Sequence, residues 1–280
     1  MEGRRAPLNP DRSLDPCTPA ALQLLEDVVR RIAHAELMPR FGASGSRVKD
    51  DGSLVTAADT AVQSCLAEEL AAYWPDVQLM GEEMTEEMQY ASLQCQAGTW
   101  CLDPLDGTTN FVNGVPFFAV SLALLRDNKP VLGLVYDPSR QECFSALHGQ
   151  GAWLNGQPIK VRVPAPALRC CVAIVDFKRL RPRLAGRLGV DPPYRSQRSY
   201  GSCALDWCWL AVGRAHLYLH GGQKLWDYAA GSLILQEVGG VFASLDGDPM
   251  TYETLGPASA VAARTPDLYE AWRAWITHNA

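Results

Sequence analysis

The chain has 280 residues, 48% hydrophobic and 20% charged, with a formal net charge of -6 at pH 7. That composition supports a large core, lacks the broad basic surface that general nucleic-acid binding requires, and contains no apolar run long enough to span a bilayer. The amino terminus, MEGRRAPLNPDRSLDP, has no apolar stretch behind its arginines, so it does not read as a secretory signal and a cytoplasmic protein is expected. Nine cysteines form no CxxC pair and have no histidines at zinc spacing; reduced and mostly buried thiols are expected.

Residues 1 to about 17 read as a loose arm. Leu22, Leu25, Val28, Val29 and Ile32 then recur at spacings of three and four, which predicts a helix from Pro19 to about Met38. The segment GSRVKDDGSLVTAADT predicts a turn-rich loop that leads through Thr56 into a second helix, with Val62, Leu66 and Leu70 on one face. Asp59 falls in its first turn. Lys49, Asp50 and Asp51, in that loop, could close over a site or be merely hydrated.

Val77 to Met80 reads as a strand that stops at Gly81-Glu82-Glu83, and Thr99 to Leu102 as one that runs into DPLDGTTNF. Strands near 117–125 and 131–136, separated by a turn at Asp127 to Pro130, favour an antiparallel sheet. Asn155-Gly156 marks another tight turn, and Pro164 and Pro166 a junction near 163, dividing the chain into halves of 18–163 and 164–280. Beyond it, a strand at 170–175, helices at 179–188 and 201–212, a strand at 214–219, a helix at 226–238 and a last helix after Pro266 give an alternating α/β order.

Asp103 and Asp106 in DPLD could form a polar turn. However, Glu82 ends another strand and Asp227 begins a helix, so three acidic element ends could converge. Carboxylates brought together stay ionised only with cations between them. Oxygen-only donors suit Mg²⁺, which is usually held by a few carboxylates and substrate phosphate. Gly107-Thr108-Thr109 adds an anion cradle, because glycine admits close backbone approach and free N–H groups favour negative charge.

Gly81-Glu82-Glu83, Asp103-Pro104-Leu105-Asp106-Gly107-Thr108-Thr109-Asn110-Phe111 and Trp226-Asp227-Tyr228-Ala229-Ala230-Gly231 resemble, in order and spacing, the motifs of the inositol monophosphatase family of Mg²⁺-dependent phosphatases. That family also takes in bisphosphate nucleotidases and some fructose-1,6-bisphosphatases. Weaker similarity covers about residues 19–275, including Val55 to Asp59 and Gly201 to Asp206. The resemblance implies an α/β (α+β) fold layered as an αβαβα sandwich, with the site where the two halves meet.

It also implies two or three Mg²⁺ ions. Glu82, Asp103 and the Leu105 carbonyl would hold one, Asp103, Asp106 and Asp227 a second, and a third, weaker ion could lie near Glu82. Gly107 and Thr108 would hold phosphate through backbone N–H groups. The Thr108 hydroxyl, hydrogen-bonded to Asp59, would help Glu82 orient the attacking water, which makes Glu82, Thr108 and Asp59 the expected catalytic residues. Asp106, Gly107, Thr108, Ser202, Cys203, His220 and Asp227 are expected to face substrate. The implied activity is hydrolysis of a small phosphate monoester, inositol-1-phosphatase-like, by a lithium-sensitive homodimer.

Relatives that use inositol phosphates carry a glutamate seven residues before the aspartate of the WD motif; an ungapped count places His220 there, with Lys224 nearby. Exchange of an acceptor for a donor would favour a second anionic group on the substrate, as in 3'(2'),5'-bisphosphate nucleotidases or fructose-1,6-bisphosphatases, unless His220 only caps a strand end. A reading of another class is a non-catalytic binding or regulatory protein that keeps the fold. Among the remaining polar candidates, Thr56 is expected as a helix cap, Asp206 as structural, Trp207 and Trp209 as core, and Arg198 as an ion-pair partner.

Overall fold

The computed structural model describes residues 14–43, 45–48, 54–160 and 166–280. The first elements are α1 (Pro19–Glu36), β1 (Ser46–Val48), β2 (Leu54–Thr56), α2 (Ala57–Tyr73), β3 (Gln78–Gly81) and α3 (Glu86–Leu93). There follow β4 (Thr99–Asp106), α4 (Thr108–Val112), β5 (Ala119–Arg126), β6 (Lys129–Asp137), β7 (Glu142–Leu147), β8 (Gly151–Leu154) and β9 (Gln157–Pro158). The last are β10 (Val172–Asp176), α5 (Pro182–Val190), β11 (Ser196–Arg198), α6 (Cys203–Ala211), β12 (Leu217–Gln223), α7 (Leu225–Glu237), β13 (Val241–Ala243), β14 (Ala258–Ala263) and α8 (Pro266–Asn279).

Strands β3 to β9 form a seven-stranded sheet in sequence order, antiparallel except for the parallel pair β3–β4. The turns at Asp127-Asn128 and Asn155-Gly156 both hold two residues at positive φ, the geometry that closes a two-residue hairpin. A second sheet has the order β11-β10-β12-β14-β13, with β10 parallel to both neighbours.

Alternation along each strand decides the layers. On β5, Val120, Leu122 and Leu124 join the apolar stripes of α1 and α2, while Ala119, Ala123 and Leu125 face α6 and α7. The other side of α6 and α7 meets Ile174, Tyr218, Ala260 and Ala262 of the five-stranded sheet, whose opposite face packs on α5 and α8. The result is the αβαβα sandwich expected. Backbone approach is close in the middle layer: a Cβ on Gly133 of β6 would stand 2.7 Å from the Ala230 carbonyl of α7, so glycine sets how near that helix lies.

The large sheet draws only on residues up to 158 and the small one only on residues from 172; the junction expected near 163 and the loop residues Lys49, Asp50 and Asp51 lie outside the described residues. The helix expected at 179–188 starts instead at Pro182, which supplies its fixed first turn, and the strand expected at 214–219 runs over 217–223 through two glycines. All nine cysteines are free; Cys101, Cys143, Cys171 and Cys208 are buried, Cys170 is exposed and the other four are intermediate, so burial is less general than expected. Among the described residues no helix is long and apolar enough to cross a membrane.

Candidate metal centre and phosphate cradle

Residues 103 and 106 would face opposite sides of an unbroken strand. The β4–β5 register shifts between Asp103 and Asp106, and this irregularity lets both carboxylates point the same way. Asp227 arrives from the first turn of α7, fixed by a 2.7 Å bond from the Lys224 N–H to its Oδ2. Each of Asp103, Asp106 and Asp227 offers an oxygen within 4.8 Å of the others, the only such acidic group among the described residues.

The three differ in their support. Asp103 accepts from Leu105 N at 2.9 Å. Asp106 lies at the amino end of α6, where its Oδ2 accepts from Ser202 Oγ at 2.5 Å and Ala204 N at 2.7 Å and its Oδ1 from Cys203 N at 3.3 Å. Burial, then the charges of Glu82, Asp106 and Asp227, push the Asp103 carboxyl well above the usual aspartate range. Burial and the neighbouring Asp106 do the same to Asp227. Asp106 is raised by burial against the pull of its Ser202, Ala204 and Cys203 bonds. A cluster in which the charge of Asp106 raises both Asp103 and Asp227 is one that a divalent cation relieves.

Glu82 stands outside that tight group but continues the β3–β4 pairing through its N–H to the Leu102 carbonyl, 3.1 Å, and its charge reaches both Asp103 and Asp227. Gln63 and Gln89 fix the turn that carries it: Gln63 Oε1 accepts from Glu83 N, and Gln89 Nε2 donates to the carbonyls of Gly81 and Glu82.

Gly107 follows directly, with φ +90°, at the amino end of α4. A Cβ there would meet the Phe117 and Gly201 carbonyls at 3.0 and 3.2 Å, so both conformation and space require glycine. The first intrahelical bond is Phe111 N to Gly107 O, which leaves the N–H groups of Thr108 to Asn110 without a partner in the helix itself. Asn110 anchors the turn by donating through Nδ2 to the Phe117 and Tyr200 carbonyls.

Several expectations need correction. The Thr108 hydroxyl donates to the Leu105 carbonyl at 3.0 Å, not to Asp59. Asp59 is turned back on its own helix end, where its Oδ2 accepts from Thr56 N and Oγ1; its buried Oδ1 has no partner, and burial raises its pKa. Ser202 is fully buried and its hydroxyl is committed to Asp106, so it supports that carboxylate without facing substrate. Cys203 also supports Asp106, through its N–H, while its Sγ lies 3.5 Å from His220 Nε2.

His220 is buried and is no free donor: Nδ1 accepts from Gly222 N at 3.1 Å, so the ring proton sits on Nε2, 3.0 Å from Asp176 Oδ2. Lys224 is exposed and its Nζ reaches the Leu255 carbonyl. Arg198 bonds Ser196 Oγ and the Gln197 carbonyl instead of a carboxylate. Asp176 went unnoticed in the sequence, although it too ends a strand; the anchoring amides of Gln63 and Gln89 had no signal there.

A model of the inositol monophosphatase family matches residues 14–276. Inositol monophosphatase 1 of Solanum lycopersicum is 37% identical over 231 residues, covering 80% of this chain and 82% of the relative. The Nus factor SuhB of Pasteurella multocida is 36% identical over 222 residues, 78% of this chain and 81% of the relative. The solved structure of a Thermotoga maritima IMPase superposes with a TM-score of 0.79 at 26% identity, covering 92% of this chain and 98% of that one. With its acidic cluster beside a glycine-led turn, the chain belongs to the inositol monophosphatase family and is a metal-dependent phosphomonoester hydrolase.

Proposed function

We propose that the protein hydrolyses inositol 1-phosphate or a closely similar polyol monophosphate with two or three Mg²⁺ ions. The observation that carries this is the convergence of Asp103, Asp106 and Asp227 within 4.8 Å beside the Gly107 turn. The donor set fits the ion: all oxygen, mostly buried, and mutually repelling until a hard cation is bound. Asp103 would serve two cations, one with Glu82 and the Leu105 carbonyl and the other with Asp106 and Asp227. The Leu105 oxygen retains a lone pair beyond its Thr108 bond.

When bound, Mg²⁺ supplies Lewis acidity and charge neutralisation at the phosphoryl oxygens and the departing alkoxide. The chain itself holds the phosphate on the N–H groups of Gly107 and Thr108 and orients the attacking water through Glu82. Asp59 acts through Thr56, by fixing the start of α2. Ser202 and the amino end of α6 hold Asp106 in place, so little reorganisation is needed when charge develops. The two halves, 18–163 and 164–280, each contribute carboxylates, and a homodimer belongs to the same reading, to be tested by light scattering.

Some relatives carry the name Nus factor, and a second reading is a binding or regulatory protein that keeps the fold without turnover. The acidic cluster argues for catalysis, since a mostly buried triad of like charges costs stability unless a cation offsets it. Phosphate release with Mg²⁺ from inositol 1-phosphate, fructose 1,6-bisphosphate and 3'-phosphoadenosine 5'-phosphate tests both. Preference for the first ester is expected. A protein that bound Mg²⁺ and released phosphate from none of them would favour the second reading.

A further inference from the structure

The five-stranded sheet has a topological switch beside the metal cluster. β10 leads through α5 to β11 on one side of it, and β11 leads back through α6 to β12 on the other, all three strands parallel. The chain leaves the carboxyl end of β10 into α5 of the outer layer and the carboxyl end of the neighbouring β12 into α7 of the middle layer, so the two exits part at the carboxyl ends of β10 and β12. In open α/β sheets the crevice outside such a divergence is where ligands bind. Asp176 is the last residue of β10, paired in register with His220 of β12.

Contacts lead from the cluster straight to this carboxylate. Cys203 donates its N–H to Asp106 and sets its Sγ 3.5 Å from His220 Nε2, which in turn lies 3.0 Å from Asp176 Oδ2. Lys178 N fixes the other oxygen, Oδ1, at 2.7 Å. The turn that follows is pressed onto β12: a Cβ on Gly221 would fall 1.9 Å from the Arg179 carbonyl. Asp176 is thus held rigidly at both oxygens, yet its side chain keeps 28% of its exposure, and with two lone pairs per oxygen it can still accept.

Resting on the phosphatase reading above, we propose that Asp176 accepts a hydrogen bond from a free hydroxyl of the substrate and that His220 is the positioning residue that aims it. The pocket prefers a polyol monophosphate: a second phosphate here would face the Asp176 charge, and Arg179, 3.7 Å from Oδ2, is itself half exposed. His220 spends its one donor on Asp176 and has none for an anion.

The test compares kcat/KM for inositol 1-phosphate with that for p-nitrophenyl phosphate, which has no hydroxyl, using the full chain with Mg²⁺. For Asp176→Asn the ratio of the two should fall about tenfold or more, through KM for the polyol ester, since a hydrogen bond to a charged group is lost. Asp176→Glu and His220→Gln, whose Nε2 can still donate, should recover part of it; His220→Leu should not. A ratio unchanged within about twofold, a wild type with no preference for the polyol ester, or a fall confined to kcat would overturn the assignment while leaving the phosphatase reading intact. Hydrolysis of neither ester by the wild type would overturn both.

Discussion

Replacing Asp103 with asparagine should stabilise the metal-free protein while removing the stabilisation that Mg²⁺ gives the wild type. The carboxylate oxygens of the triad lie within 4.8 Å of one another; at that distance and an effective dielectric of about 20, two unit charges repel by roughly 3.5 kcal/mol. Asp103 has two such neighbours. Burial and repulsion already raise these groups, so protonation relieves part of the strain, and Asp227 is partly open to solvent. A net gain of about 2 kcal/mol is therefore expected for metal-free Asp103→Asn, or about 4–8 °C in Tm for a chain of this size. The amide oxygen can keep the bond from Leu105 N, so the turn is retained.

Saturating Mg²⁺ should add about 2.7 kcal/mol to the wild type at a concentration 100 times Kd and much less to the variant. The pH dependence has a definite sign. Because the folded values of Asp103 and Asp227 are raised, the native state binds protons more readily than the unfolded chain. Their contribution to metal-free stability is complete below the ordinary aspartate value of 3.8 and is lost as pH rises through the raised folded values. Thermal unfolding in chelator and in Mg²⁺, across pH, reads all of this. A metal-free Asp103→Asn protein less stable than wild type, or one still stabilised by Mg²⁺ to the same extent, would refute the electrostatic account.

Two further perturbations probe the frame around the triad. Gly107→Ala places a side chain at φ +90° and 3.0 Å from the Phe117 carbonyl; a cost of about 1–3 kcal/mol and loss of turnover are expected, measured by denaturant unfolding and phosphate release. Ser202→Ala removes the 2.5 Å bond to Asp106 in a buried setting; it should cost about 1–3 kcal/mol and weaken Mg²⁺ binding in calorimetry, and unchanged affinity would show that Ser202 does not hold the ligand.

What could be read in the sequence follows from range of interaction. α1 and α2 were legible because Leu22, Leu25, Val29 and Val62, Leu66, Leu70 repeat at the helical period, and the hairpin turns because Asn-Gly and Asp-Asn have few other uses. β14 escaped: Ala258 to Ala263 is a run of small residues with helical propensity, made a strand by its place between β12 and β13. α3 has little amphipathic pattern, and the local sequence of β7 does not set it apart from its surroundings.

In the site, the carboxylates announced themselves by their motifs, but the irregularity that turns Asp103 and Asp106 to one side did not. The role of His220 depended on the register of β10 against β12, residues 44 apart, which no local pattern encodes. A histidine counted as a donor to substrate is instead spent on Asp176.

The middle helical layer also bears on how the chain is made. The inner face of the seven-stranded sheet, including Met80, Ala123, Val135 and Phe144, is covered by α6 and α7, which lie well downstream of the last strand of that sheet. During synthesis, that sheet can form behind α1 and α2 while its other face waits, apolar and bare, until residues 203–237 leave the ribosome. A stalled or truncated product ending between 160 and 200 therefore presents a sticky surface, and nascent-chain lengths in that interval are where chaperone dependence should be greatest.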